Sequence, residues 1–163
     1  MLLGRNSFNL AKASWFGATP LWFASQWGHE GIVRILLERN DVNPDKPAML
    51  CITPLSLASY SGYEGVVRML LERNDVNPDK PNLFRQTPLF LACKNGHEWV
   101  VRMLLERNDV NPDKPNLFRQ RPLLFACKNG HEGVVADAPR TGGRQPPQAG
   151  FIPSDTTIVG FSE

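Results

Sequence analysis

Thr87-Pro88-Leu89-Phe90-Leu91-Ala92-Cys93-Lys94-Asn95-Gly96-His97-Glu98-Trp99-Val100-Val101-Arg102-Met103-Leu104-Leu105 is the stretch on which the fold turns. Thr87 suits the cap that precedes a helix, and Pro88 at the first helical position forfeits no needed hydrogen bond. Leu89 and Ala92 share one face of the short helix that follows. Gly96 suits the left-handed residue that ends it. Glu98 then falls in the first turn of a second helix, where the macrodipole favours an acid. Val100, Val101, Leu104 and Leu105 form the apolar stripe of that helix, with Arg102, Glu106 and Arg107 toward water. Asn108 and Asp109 break it, and Pro112 and Pro115 forbid its return. The segment that continues to Gln120 reads as a finger-like turn or hairpin leading into the next unit.

The pattern returns along the chain. Thr53-Pro54-Leu55 and Thr87-Pro88-Leu89 are 34 residues apart, and the same step reaches Thr19-Pro20-Leu21 and Arg121-Pro122-Leu123. Residues 66–86 are identical to residues 100–120. A fixed period of this size marks a solenoid, because one such unit is too small to bury its own apolar face and stacked units bury it together. Gly28, Gly62 and Gly130 recur at the Gly96 position, and Glu30, Glu64 and Glu132 at the Glu98 position.

The unit resembles the ankyrin repeat. Thr87-Pro88-Leu89, Ala92, Gly96-His97, Val100-Val101, Leu104-Leu105 and the closing Asp109-Val110-Asn111 carry the resemblance, which keeps register from Leu2 to Val135. Two departures stand out. The histidine of the usual T-P-L-H start is Trp22, Ser56, Phe90 or Leu124, and the connection from Pro112 to Gln120 is long. The Asp-Val-Asn-Pro-Asp-Lys-Pro variant is similar to arrays of filamentous fungi, some of which sit on larger receptors with a nucleotide-binding domain. The resemblance implies an all-α, ankyrin-repeat solenoid of stacked helix-turn-helix units with hairpin-like finger loops.

The expected array spans residues 1–135. It has a partial unit at 1–18, full units at 19–52, 53–86 and 87–120, and a partial unit at 121–135. Met1-Leu2-Leu3-Gly4-Arg5-Asn6 aligns with Met69-Leu70-Leu71-Glu72-Arg73-Asn74, so the chain begins near the end of a second helix. Residues 136–163 lose the period and are rich in Pro, Gly, Ser, Thr and Gln. Such composition buries too little to offset its ordering entropy, so this part reads as a flexible, disordered tail, with Thr157-Ile158-Val159-Gly160-Phe161 a short apolar exception. Arrays usually close on units with a polar outer face, and neither end carries one; the chain reads as a fragment of a longer array or as a genuine short protein.

Eighteen basic and sixteen acidic residues give a net charge of +2 with the signs mixed in every repeat, so no basic stripe points to nucleic acid. No apolar run approaches the roughly 20 residues of a bilayer span, and no secretory core follows Met1. Cys51, Cys93 and Cys127 are odd in number, and helices stacked about 8–10 Å apart lie beyond disulfide reach. All three read as reduced thiols in an intracellular, cytoplasmic rather than nuclear, setting. Catalytic and metal readings fail on spacing. His97-Glu98 opens an H-E-x-x-H zinc motif whose second histidine is Val101, and His29-Glu30 and His131-Glu132 fail at Val33 and Val135. Asp75, Asn77 and Asp79 open like a calcium loop, but Lys80 and Gln86 occupy the required Gly and Glu positions. The shared histidine position reads as a capping or inter-repeat hydrogen bond.

Function is expected where the repeats differ. Units 53–86 and 87–120 diverge at Ser56/Phe90, Ser59/Cys93, Tyr60/Lys94, Ser61/Asn95, Tyr63/His97 and Gly65/Trp99, assigned to the first helix and the loop after it. In ankyrin-like arrays that helix and the fingers line a concave face. Trp22 and Phe90 fit equally well between first helices. Ser25, Gln26, Ser59, Tyr60, Lys94, Asn95 and Lys128 are the expected exposed contacts, with Asp45, Lys46, Asp79, Lys80, Asp113 and Lys114 as a polar edge on the fingers. The expected function is a non-enzymatic protein–protein interaction scaffold or adaptor, with no cofactor, metal, membrane or small-molecule substrate. Two alternatives stay open: a recognition segment of a larger fungal nucleotide-binding signalling or immune receptor, and a truncated, non-functional remnant of a longer array.

Overall fold

A computed structural model of the chain describes residues 16–136. Most of the expected partial unit 1–18, the expected tail beyond Ala136 and its apolar segment at 157–161 lie outside the described residues. The helices come in pairs: α1 (Pro20–Gln26) with α2 (Glu30–Leu37), α3 (Pro54–Ser61) with α4 (Glu64–Leu71), α5 (Pro88–Asn95) with α6 (Glu98–Leu105), and α7 (Pro122–Lys128) with α8 (Glu132–Ala136). The first helices stack in one layer and the second helices in another. Among the described residues there is no strand; the fingers are turns.

Local chemistry sets each pair. The Oγ1 atoms of Thr19, Thr53 and Thr87 accept from the backbone N–H of Trp22, Ser56 and Phe90 at 3.1–3.2 Å, capping α1, α3 and α5. Arg121 stands in the same place before α7 and makes no side-chain cap. Since a missing Thr cap costs about 1 kcal/mol, Arg121→Thr is expected to raise stability by about that amount in urea unfolding; an unchanged midpoint would show that α7 does not limit the array. At the other end, Gly62 and Gly96 take φ of 76° and 74°. A Cβ there would also run into the ring of His97 or His131 from the following repeat. Each glycine therefore ends a helix and opens a seat for the next repeat.

Burial follows the stacking. Leu21, Leu55 and Leu89 of the first helices and Leu36, Leu70 and Leu104 of the second join one continuous core running to Val134. Two neighbouring positions of the second helix face opposite ways. Val66, Val100 and Val134 are fully buried, whereas their first-unit equivalent Ile32 is 51% exposed, so this position meets the preceding repeat. Val33, Val67 and Val101 are buried and Val135 is exposed, so that position meets the following one.

The repeats are also tied by polar contacts, each from one unit to the next. Lys80 Nζ reaches the Asp45 carboxylate at 2.7 Å and its backbone carbonyl at 3.0 Å, and Lys114 repeats both contacts on Asp79. Arg73 Nη1 donates to the Leu37 carbonyl and Arg107 Nη1 to that of Leu71. The remaining nitrogens of those guanidiniums grip Asp75 and Asp109, and the hydrogen bonds hold both carboxyls below the usual aspartate range.

Candidate functional site

The first helices pack on each other more closely than the second helices do. The array therefore curves with α1, α3, α5 and α7 on the inside. One repeat position stays open along that inner face: Gln26 is half-buried, and Tyr60, Lys94 and Lys128 are exposed. These four side chains differ in size, polarity and charge while the core beneath them is nearly constant.

Several of the residues expected beside them are not available. Ser25 and Ser59 are 0% exposed, a correction to their reading as contacts. Cys93 at the same position is also buried, whereas Cys127 in the last repeat is exposed. The position faces the next first helix, which closes over it wherever one follows. Burial pushes the Cys93 thiol up to about 12, with Cys127 alongside adding to the effect, so Cys93 stays protonated and unreactive at neutral pH. A thiol-alkylating reagent is therefore expected to label Cys51 and Cys127 in the folded protein and Cys93 only in denaturant, as read by mass spectrometry. Labelling of all three at similar rates would contradict this packing.

The polar edge is corrected in the same way. Asp45, Asp79, Lys80 and Lys114 are held in the inter-repeat pairs described above. Asp113 remains exposed and meets Arg121 at 3.7 Å, and Lys46 is half-buried. Asn95 is half-buried, and its Nδ2 donates to the Tyr60 carbonyl at 2.8 Å. His97 Nε2 lies 2.9 Å from the same carbonyl, and His131 Nε2 lies 3.1 Å from that of Lys94. A carbonyl only accepts, so the proton sits on Nε2 in each contact. At His97 and His131 the shared histidine position makes an inter-repeat hydrogen bond, whereas His29 makes no side-chain cap on α2. Phe90 is buried against Phe125 with ring centroids 5.2 Å apart. Trp22 is half-buried and donates its indole N–H to the Ile52 carbonyl at 3.0 Å. Phe90 thus packs between first helices, whereas Trp22 is tied to the residue that precedes the Thr53 cap of α3.

The Gly65/Trp99 difference lies elsewhere than expected. Both residues are on second helices, α4 and α6, on the outer face. At Gly65 and Gly133 a Cβ would meet the carboxylate of Glu30 or Glu98 from the preceding repeat. Trp99 stands at that position, 58% exposed, with the Arg102 guanidinium 4.5 Å from its ring centroid. The displaced acid, Glu64, lines an open groove of about 430 Å³ with Arg68, Trp99 and Met103.

The sequence also gave no prominence to the finger tips. Asn82 is buried and organises one tip: its Oδ1 accepts from the N–H of Phe84 and Gln86, both at 2.9 Å. Asn116 does the same for Phe118 and Gln120. Neighbouring tips are joined where Leu83 N–H donates to the Leu50 carbonyl and Leu117 N–H to that of Phe84, both at 2.9 Å. Met49, Leu50, Leu83, Phe84, Leu117 and Phe118 project from these tips, between 38% and 70% exposed. A Leu-Phe pair conserved in identity between two units was the available signal; large apolar residues are normally assigned to the core. Among the described residues no helix is long and apolar enough to cross a membrane.

A family model described as ankyrin repeats, in three copies, matches residues 1–82 and 55–136. No curated protein matches the chain.

Proposed function

The chain belongs to the ankyrin-repeat family, a family of protein–protein interaction modules, and from that premise we propose that it is a non-enzymatic adaptor that binds a protein partner through its inner face. The observation that carries this reading is the row of half-buried Gln26 and exposed Tyr60, Lys94 and Lys128. A tyrosine and two lysines in register offer aromatic contact area and charge on a rigid support, and Tyr is enriched at interface hot spots. Exposed thiols at Cys51 and Cys127 fit a reducing, cytoplasmic setting.

The test is a binding comparison. The full chain is used to capture its partner from host lysate, the captured protein is purified, and its affinity is measured for two sets of variants. Tyr60→Ala, Lys94→Ala and Lys128→Ala are expected to weaken binding together by about tenfold or more, which corresponds to about 1.4 kcal/mol. Each is expected to move stability by no more than about 0.5 kcal/mol. Asn95 is left intact because its side chain joins two repeats. Arg34→Ala and Arg68→Ala on the outer face are the controls; an equal loss from them would place the site on the other side of the array.

A further inference from the structure

We propose that the finger tips form a docking ridge for an acidic amphipathic helix of a protein partner. The inference rests on the protein-binding reading and deepens it by naming the chemistry of the partner at the edge of the inner face. The ridge is apolar and continuous, because each tip is hydrogen-bonded to the next through Leu83 N–H to Leu50 and Leu117 N–H to Phe84. It is also rigid. Asn82 and Asn116 bind the turn from inside, and Arg85 and Arg119 are held at φ of 59° and 60°, a left-handed conformation that arginine rarely adopts. Holding two apolar side chains out in water on a strained turn has an energetic cost that core packing does not recover. Such strain persists where the surroundings over-determine it, and it clusters at binding sites.

Charge selects the occupant. Arg85 and Arg119 follow the Leu-Phe pairs and are exposed. Among the described residues no carboxylate pairs with either of them. The finger acids Asp45 and Asp79 are committed to Lys80 and Lys114 at the base, and the exposed Asp113 of the last finger lies 3.7 Å from Arg121. The ridge is thus apolar with a basic margin. A second copy of the chain meeting it face to face would bring arginine against arginine, and like charges so placed are unfavourable. An acidic partner completes the margin.

Spacing selects a helix. Stacked repeats sit about 8–10 Å apart, and seven helical residues rise about 10.5 Å. A helix laid along the ridge therefore meets one finger every two turns, presenting apolar residues at i, i+3 or i+4, and i+7 to successive Leu-Phe pairs. Glu or Asp beside that stripe then faces Arg85 and Arg119.

The experiment uses the full chain and two synthetic helical peptides that share a Leu heptad stripe, one flanked by Glu and one by Lys. Binding is read by fluorescence anisotropy at low and high salt. The Glu peptide is expected to bind at least about tenfold more tightly than the Lys peptide, with the advantage shrinking as salt screens it. Phe84→Ser with Phe118→Ser is expected to abolish binding. Arg85→Asn with Arg119→Asn keeps a residue that tolerates the left-handed turn and is expected to erase the difference between peptides. Circular dichroism melts of both double variants verify that the array remains folded. Equal binding of the two peptides, or no effect of the Phe pair, would overturn the proposal. A concentration-dependent dimer that disappears in the Phe variant would overturn it in favour of self-association. A captured partner lost on Tyr60→Ala and Lys94→Ala but indifferent to the finger variants would leave the inner-face reading standing and remove this one.

Discussion

Leu104→Ala lowers the stability of the array by about 2–5 kcal/mol, the range for truncating a buried leucine that cannot be refilled. Leu104 is fully buried in α6 and belongs to the core shared with the units on either side. Loss of its side chain opens a cavity at two repeat interfaces at once. Because a repeat array is stabilised by neighbour interfaces as much as by single units, the damage is shared by units 53–86 and 121–135. Leu70→Ala, at the same position one unit earlier and also fully buried, is expected to cost a similar amount. Glu106→Ala, exposed just after α6, is expected to stay within about 0.5 kcal/mol. Urea unfolding followed by circular dichroism reads all three. A Leu104→Ala loss no larger than that of Glu106→Ala would mean that the second helices do not share one core.

Gly96→Ala against Gly130→Ala separates backbone strain from inter-repeat packing. Both glycines have φ of 74°, so alanine at either position carries a left-handed penalty of about 1–2 kcal/mol. Only at Gly96 does the added methyl also meet the His131 ring; at Gly130 nothing lies within 4 Å. Displacing that ring breaks its hydrogen bond to the Lys94 carbonyl, a contact worth about 0.5–1.5 kcal/mol. Gly96→Ala is therefore expected to cost more than Gly130→Ala by about that margin. Equal losses in parallel urea titrations would assign the whole effect to the glycine backbone and leave the His131 seat without energetic weight.

The inner face and the fingers have different claims on function for a physical reason. Tyr60, Lys94 and Lys128 can vary because their side chains leave the packed layer. The Asp–Lys pairs cannot, because each lysine bonds one carboxylate oxygen and the backbone carbonyl of the aspartate in the finger before it. Breaking a pair with one partner left half-buried costs more than an exposed ion pair is worth. Most of what looks in the sequence like a charged edge is therefore a clamp, and the free tips of the fingers carry Leu-Phe pairs flanked by exposed arginines.

The repeat, the helix pairs, the Thr caps, the left-handed glycines and the apolar stripes are legible in the order of the residues alone. Each of these depends on residues within one unit, and the 34-residue period shows that the same local solution is used again. That order also marked Tyr60 and Lys94 as variable and exposed. The stacking of the units is what buries Ser25 and Ser59, brings Asp45 to Lys80 and leaves Trp99 on the outer face. It alone put the Leu-Phe pairs in water. The contacts behind the clamps and seats join residues 35 to 37 positions apart, one repeat and a few residues more. Their partners are chosen by the register in which one unit lies on the next. A serine on a short helix has the same local pattern whether or not a neighbouring helix closes over it, so its burial is a property of the stack and not of the segment that contains it.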